Sequence, residues 1–385
     1  MLSSIRLLNR TCACLRFQKR SIELKPNSES PLRRLLRDAS AFGEADPTKA
    51  PEGELLWATQ PYATGVQESL PHQVDPTETT VLLFPGQGSQ RVGMGKCLDN
   101  VPSAKELYEL ASSVVGWDVA RVCREGPEEE LQRRCQTAVL VTSLGALELA
   151  RDTRPGALER VRAVAGFSLG EITAMVYAGA LQLEQALRLV EVRAAAMEAA
   201  ARERPGGMLT VWLAPDAALG ALLHAARAAA GPDSVCQVAN YLYPGCKVLA
   251  GDEEALRYVE REGRRLGVRR SARVRVAGAF HTPLMARAEL AVREALRAVH
   301  VAAPRVPLVS CVDARAVSSA AGARRRLARL TAAPVRWEQV LHALYARPRD
   351  TPQPLTLALG PGAALRATLK LVNARAWDAS LHVDV

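Results

Sequence analysis

The sequence predicts an α/β protein whose large unit carries a parallel sheet and is interrupted by a smaller α+β insert. Two observations carry that prediction. Short apolar runs end in glycine-bearing loops that open into helices, and this repeat of strand, loop and helix builds parallel sheets. Between residues 202 and 276 the texture changes to a compact block of four strand-like runs and two helices. Length agrees with both. The chain has 385 residues, 48% hydrophobic and 23% charged, which suits about two to three packed units and excludes a largely disordered chain or a disulfide miniprotein.

Taken in order, residues 1–22 carry Arg6, Arg10, Arg16, Lys19 and Arg20 with no acid before Glu23, half of the chain's net charge of +10. Leu2, Ile5, Leu8, Cys12 and Leu15 recur at three- and four-residue spacing, so this stretch predicts an amphipathic mitochondrial presequence, with an ordinary basic arm as the alternative. Residues 23–78 are rich in Pro, Glu, Thr and Gln and predict a leader, with Leu32–Ala39 as a short helix. The longest apolar stretch, Ala138–Ala150, is interrupted by Thr142, Ser143 and Glu148, so no membrane span is predicted. The cysteines show no metal-type or redox-type C-x-x-C pairing, so no zinc site or disulfide framework is implied and a reducing compartment fits.

The large unit is expected over 79–201 and 277–385, and the insert over 202–276. Val81–Phe84 predicts a buried strand running into Pro85-Gly86, and Val161–Ala165 a second one. Helices are predicted at Ser103–Val115, Thr137–Arg151, Glu171–Tyr177 and Leu181–Arg202. Within the insert, strands are predicted at Met208–Leu213, Gln237–Tyr241, Lys247–Ala250 and Arg273–Val276, with helices at Ala217–Ala230 and Glu253–Leu266. Strands return at Val306–Val312 and Leu355–Leu359. The basic clusters Arg269-Arg270 and Arg324–Arg326 are too short and too poor in nearby aromatics to predict a nucleic-acid surface.

Gly166-Phe167-Ser168-Leu169-Gly170 fits the G-x-S-x-G turn that lifts a serine out of the backbone between a strand and a helix. The helix that follows aims its N-terminal N–H groups and partial positive charge at the serine, which favours an alkoxide or oxyanion there. A plain strand-to-helix turn is the alternative. Such a serine needs a base. Among six histidines, His281 alone follows a predicted strand and small-residue stretch and precedes Thr282-Pro283, an N-cap and first helical position. That places it at the sheet edge where α/β proteins keep their sites, although a purely structural histidine also fits.

Phe84-Pro85-Gly86-Gln87-Gly88-Ser89-Gln90 is not a phosphate loop, because Arg91, Gln90 and Cys97 stand where the dinucleotide and P-loop patterns need other residues. A glycine-flanked glutamine after a strand can instead offer its backbone N–H, so Gln87 and Leu169 are candidate oxyanion donors. Arg193 is the remaining anomaly. Leu189, Val190, Ala196 and Met197 lie three and four residues from it, so this guanidinium falls on the apolar stripe of its helix. Burying it unpaired costs several kcal/mol. It could snorkel, bind an internal acid, or offer a planar fork to a substrate carboxylate.

Together, Phe84–Gln90, Gly166–Glu171, Arg193 and Gly278-Ala-Phe-His-Thr-Pro-Leu-Met285 resemble the malonyl-CoA:acyl carrier protein transacylases, the mitochondrial members above all, over about Thr79 to Thr368. The resemblance implies an α/β-hydrolase-like large domain with an inserted ferredoxin-like subdomain. It implies Ser168 as nucleophile, His281 as base, Gln87 and Leu169 as oxyanion hole, and Arg193, Gln136 and Asn240 as substrate-binding residues. The histidine is then oriented by a backbone carbonyl rather than an aspartate. Implied partners are malonyl-CoA and acyl carrier protein, whose acidic helices would meet Arg264, Arg265, Arg269, Arg270 and Arg273 or Arg324–Arg326. No metal and no cofactor are implied, since the phosphopantetheine travels on the partner, and the compartment is the mitochondrial matrix. Phe167, where bacterial members more often carry His, and Thr137, in place of a usual proline, depart from the pattern away from the chemistry. A serine thioesterase or hydrolase, or an inert scaffold, are the alternatives.

Overall fold

The computed structural model describes residues 78–348 and 350–385. The predicted presequence (1–22), the leader to residue 77 and its Leu32–Ala39 helix lie outside the described residues.

Ten strands are present among them: β1 (Thr80–Phe84), β2 (Val161–Gly166), β3 (Gly206–Leu213), β4 (Cys236–Tyr243), β5 (Cys246–Asp252), β6 (Val268–Arg273), β7 (Leu308–Val309), β8 (Ala316–Val317), β9 (Leu355–Leu359) and β10 (Ser380–Val383). Six form one sheet in the order β10-β9-β1-β2-β7-β8, parallel throughout except for the β7–β8 hairpin at one edge. β1 lies in the middle, with β2 and β9 as neighbours, and all five of its residues are buried. A central parallel strand covered on both faces must read as a continuous apolar run, which is why Val81-Leu82-Leu83-Phe84 was legible. The Cys135–Thr153, Leu169–Tyr177 and Leu183–Glu203 helices pack around this sheet and share its main hydrophobic core.

The remaining four strands form a separate antiparallel sheet in the order β4-β5-β3-β6. With helices at Leu219–Ala230 and Glu253–Glu262, the chain order is strand, helix, two strands, helix, strand, the ferredoxin-like arrangement. Leu209, Val211, Leu222, Leu249, Leu256 and Val259 form its own core. A third cluster, including Met197, Ala201, Met208, Ala239, Phe280 and Met285, joins the end of the long helix to this sheet and to the His281 loop. Among the described residues no helix is long and apolar enough to cross a membrane.

Several boundaries differ from expectation. The strand expected at Arg273–Val276 is β6, which ends where that stretch was to begin. Its ladder with β3 runs from Leu213↔Val268 to Leu209↔Arg273, after which the Val274 N–H still reaches the Met208 carbonyl at 3.0 Å but no ladder continues. The alternating Arg-Val pattern of 273–276 imitated a strand. The strand expected at Val306–Val312 shrinks to β7, because the chain turns at Ser310, whose N–H bonds the Arg315 carbonyl at 3.0 Å.

Half of the clustered arginines are spent on the fold. Arg273 pairs with Glu253 and Glu260, Arg265 with Glu262, and Arg326 with Asp313. Arg324 donates to the carbonyls of Leu296 and Val299. Arg264, Arg269 and Arg270 are exposed, with Arg270 stacked on the Trp212 ring at 4.6 Å.

Candidate active site

The site begins at the turn between β2 and the Leu169–Tyr177 helix. Ser168 sits there at φ 51°, a left-handed conformation that a side-chain-bearing residue adopts only under constraint. The flanking glycines explain how the constraint is met. A Cβ on Gly166 would lie 1.9 Å from the Gly170 carbonyl carbon, and a Cβ on Gly170 would lie 2.1 Å from the Phe84 oxygen. Only hydrogen fits at either position, so the turn closes against the end of β1 and presents the serine hydroxyl at the carboxyl edge of the sheet. The helix start is pinned from behind. Glu171, fully buried, accepts from Ser310 Oγ at 2.7 Å and the Cys311 N–H at 2.6 Å, and burial pushes its carboxyl above the usual range.

Two side chains reach that hydroxyl, and two glutamines extend the network behind them. Ser168 Oγ lies 3.0 Å from His281 Nε2, and His281 Nδ1 lies 3.1 Å from the Ala333 carbonyl oxygen. A carbonyl can only accept, so Nδ1 carries the proton and Nε2 turns its lone pair to the serine. An Arg193 Nη2–H group donates to the same Ser168 oxygen at 3.0 Å, while Nη1 donates to Gln136 Oε1. Gln136 Nε2 in turn lies 3.4 Å from Gln87 Oε1. Polarity therefore runs one way: Arg193 donates to Ser168, Ser168 to His281, and His281 to Ala333.

Burial sets the charges. Ser168, Arg193 and His281 retain only 6%, 2% and 5% of their exposure. Burial, reinforced by the Arg193 cation, pushes the His281 imidazole down to about 3, so the ring is neutral at physiological pH. Burial also lowers Arg193, to about 10, which leaves it charged. No acid pairs with it among the described residues, and its Nε has no hydrogen-bond partner. Of the three readings of this arginine, snorkelling and an internal salt bridge are thus excluded. The cation lies buried, without a counter-ion, against the serine.

Gln87 follows β1 in the loop facing the serine turn, where a Cβ on Gly86 would lie 2.4 Å from the Phe167 oxygen. Leu169 opens the helix. The next two N–H groups are committed, Gly170 to Phe167 and Glu171 to Ser168, both at 2.9 Å. Asn240, on β4, is buried and its Oδ1 lacks a partner. Ser168, His281, Arg193, Gln136 and Gln87 are therefore linked by hydrogen bonds, with Leu169 adjoining the serine, while Asn240 is tied by a backbone bridge to Val335, two residues from the Ala333 carbonyl. The sequence reading did not find the Ala333 carbonyl, the Glu171 anchor or Gln237, whose Nε2 donates to the His281 carbonyl at 3.1 Å. The only signal for Glu171 was a carboxylate in the first turn of an otherwise apolar helix.

A serine, a neutral imidazole and an unpaired guanidinium at hydrogen-bond distance suit acyl transfer with a carboxylate-bearing acyl group. Comparison with known proteins agrees. Residues 81–351 match the acyl transferase domain family. The chain is 44% identical over 316 residues to a probable mitochondrial malonyl-CoA-acyl carrier protein transacylase of Drosophila melanogaster, covering 80% of this chain and 83% of that one. This chain is a malonyl-CoA–acyl carrier protein transacylase family member. To the mitochondrial transacylase of Homo sapiens it is 39% identical over 360 residues, 91% of either chain. The crystal structure of an acyl-carrier-protein S-malonyltransferase from Burkholderia pseudomallei superposes with a TM-score of 0.71 at 30% identity, covering 79% of this chain and 96% of that one. Transacylase kinship and the two-sheet architecture thus agree.

Proposed function

We propose that the chain transfers the malonyl group of malonyl-CoA to the phosphopantetheine thiol of an acyl carrier protein through a malonyl-serine at Ser168. By kinship with mitochondrial transacylases the protein is mitochondrial, and the matrix, where it would supply fatty acid synthesis, is the compartment proposed. The observation that carries this reading is Arg193, a buried cation without an acid partner among the described residues, 3.0 Å from the serine oxygen. A guanidinium so placed is matched by an acyl group ending in a free carboxylate.

In the first half-reaction His281 Nε2 takes the Ser168 proton as Oγ attacks the thioester carbonyl. The N–H groups of Gln87 and Leu169 are the proposed donors to the tetrahedral oxyanion. The carbon–sulfur bond then breaks, coenzyme A leaves as its thiol with the proton from His281, and the malonyl-serine remains. In the second half-reaction His281 takes the proton of the carrier thiol, sulfur attacks the ester carbonyl, the carbon–oxygen bond breaks, and Ser168 regains its proton. A neutral resting imidazole supports both steps, since each begins with proton acceptance.

Mass spectrometry of the protein mixed with malonyl-CoA tests the reading. A malonyl adduct at Ser168 that disappears on adding carrier-protein thiol is the expected result. Turnover without thiol would make the chain a hydrolase, and no adduct would leave the serine inert.

A further inference from the structure

His281 is held in an unusual way. Its backbone lies at φ 62°, one of three side-chain-bearing residues at positive φ among the described residues, together with Ser168 and Ala314. Such a conformation is strained and persists only where the surroundings impose it. Here three hydrogen bonds impose it. The His281 N–H donates to the Thr331 carbonyl at 3.2 Å, Nδ1–H donates to the Ala333 carbonyl at 3.1 Å, and the His281 carbonyl accepts from Gln237 Nε2 at 3.1 Å. The first two partners lie on one segment, 331–335. The third comes from the small sheet, on β4.

β4 is also tied to that same segment. The Val335 N–H bonds the Ala239 carbonyl and the Tyr241 N–H bonds the Val335 carbonyl, both at 2.8 Å, a parallel bridge at Asn240. Lys247 on β5, the next strand, pairs with Glu338 just beyond it. The edge of the insert is therefore zipped to the stretch that orients the imidazole, and Gln237 closes the ring by holding the imidazole's own backbone. No backbone N–H among the described residues bonds the His281 carbonyl, so the amide of Gln237 is its donor.

We infer that Gln237 is a positioning residue for the base: through the His281 carbonyl, the ferredoxin-like insert fixes where Nε2 meets the Ser168 hydroxyl. Without that donor the 281–282 peptide can rotate toward relaxed φ, and the ring swings from both Ser168 and Ala333. The inference rests on His281 acting as base, and both half-reactions need it. The loss therefore falls on kcat, with little change in malonyl-CoA affinity, since Gln237 makes no hydrogen bond to Arg193 or Gln136.

The test replaces the amide by a near-isosteric side chain without a donor, Gln237→Met, with Gln237→Ser as a second, smaller variant should the first fail to fold. Ser168 acylation is followed in single turnover with malonyl-CoA and, separately, as the burst with p-nitrophenyl acetate, which needs no carboxylate anchor. A displacement near 1 Å costs on the order of a hundredfold in rate, so a fall of about tenfold or more in both acylation rates is expected. KM for malonyl-CoA should stay within about twofold and the thermal midpoint within a few degrees. Rates within twofold of wild type, or a fall explained by a matching rise in KM, would overturn the inference. If wild type never loads malonyl-CoA while the acetate burst still responds to Gln237→Met, the transacylase reading fails and the brace stands.

Discussion

Arg193→Ala isolates the proposed carboxylate anchor. The guanidinium is buried, holds no acid, and already directs one Nη2–H into the Ser168 oxygen and Nη1 into Gln136. A malonyl carboxylate would therefore meet a cation whose desolvation is already complete, so most of the charge-assisted attraction is retained. Leaving one member of such a buried pair unmatched costs about 3–5 kcal/mol. At about 1.4 kcal/mol per factor of ten, kcat/KM for malonyl loading should drop by roughly two to three and a half orders of magnitude. Acetyl-CoA gains nothing from the cation, and in the variant it no longer leaves a charge buried unpaired, so acetyl loading should hold or rise. Stopped-flow loading of Ser168 from each thioester, with adduct masses read in parallel, measures both changes. Malonyl loading within about tenfold of wild type, or an equal collapse for both thioesters, would refute the anchor.

Three further outcomes are expected. Because the folded-state pKa of His281 lies below its ordinary value, near 3, the base is competent above that value and is lost only as pH falls through it. The kcat/KM profile for Ser168 loading should thus stay flat well below the unperturbed histidine pKa of about 6.5, and an acid limb centred there would contradict the burial argument. Gly170→Ala drives a methyl to within 2.1 Å of the Phe84 oxygen, a backbone atom that cannot yield locally, so soluble folded protein should be lost. A normally folded, active variant by circular dichroism would show the turn to be looser than drawn. The double charge reversal Arg269→Glu/Arg270→Glu acts on exposed arginines without an acid partner among the described residues. It should raise KM for the carrier protein several-fold at low salt while malonyl loading is unchanged, and an unaltered salt dependence of transfer would move docking elsewhere.

Much of this site was legible because each of its parts breaks a local pattern. Arg193 interrupts an apolar helical stripe, and Gly166 and Gly170 bracket a serine between strand and helix. His281 sits between small residues and an N-cap threonine, Thr282, whose hydroxyl accepts from the Leu284 N–H at 3.2 Å. The parts that escaped work through main-chain atoms. Any residue could supply the Ala333 carbonyl, so its place in the Thr331–Val335 stretch leaves no mark on side-chain chemistry. Gln237 was invisible for a related reason, since an amide on an edge strand reads as surface until the fold brings its partner carbonyl within reach. The misjudged strands share a physical cause as well. Alternation after Arg273 fitted a ladder, but pairing with β3 stops at Leu209↔Arg273 and leaves only the Val274 N–H bond to Met208, because pairing length belongs to both strands.

The glycine-closed serine turn also limits where the site can change. With hydrogens the only occupants tolerated at 166 and 170, the serine turn is a fixed jig. Facing it is the Phe280–His281 loop, which Gln237 of β4 holds through the His281 carbonyl and which packs with Ala239. Exchanging the insert's edge strand between relatives should therefore act on the base, through position 237, while the serine turn itself keeps its shape.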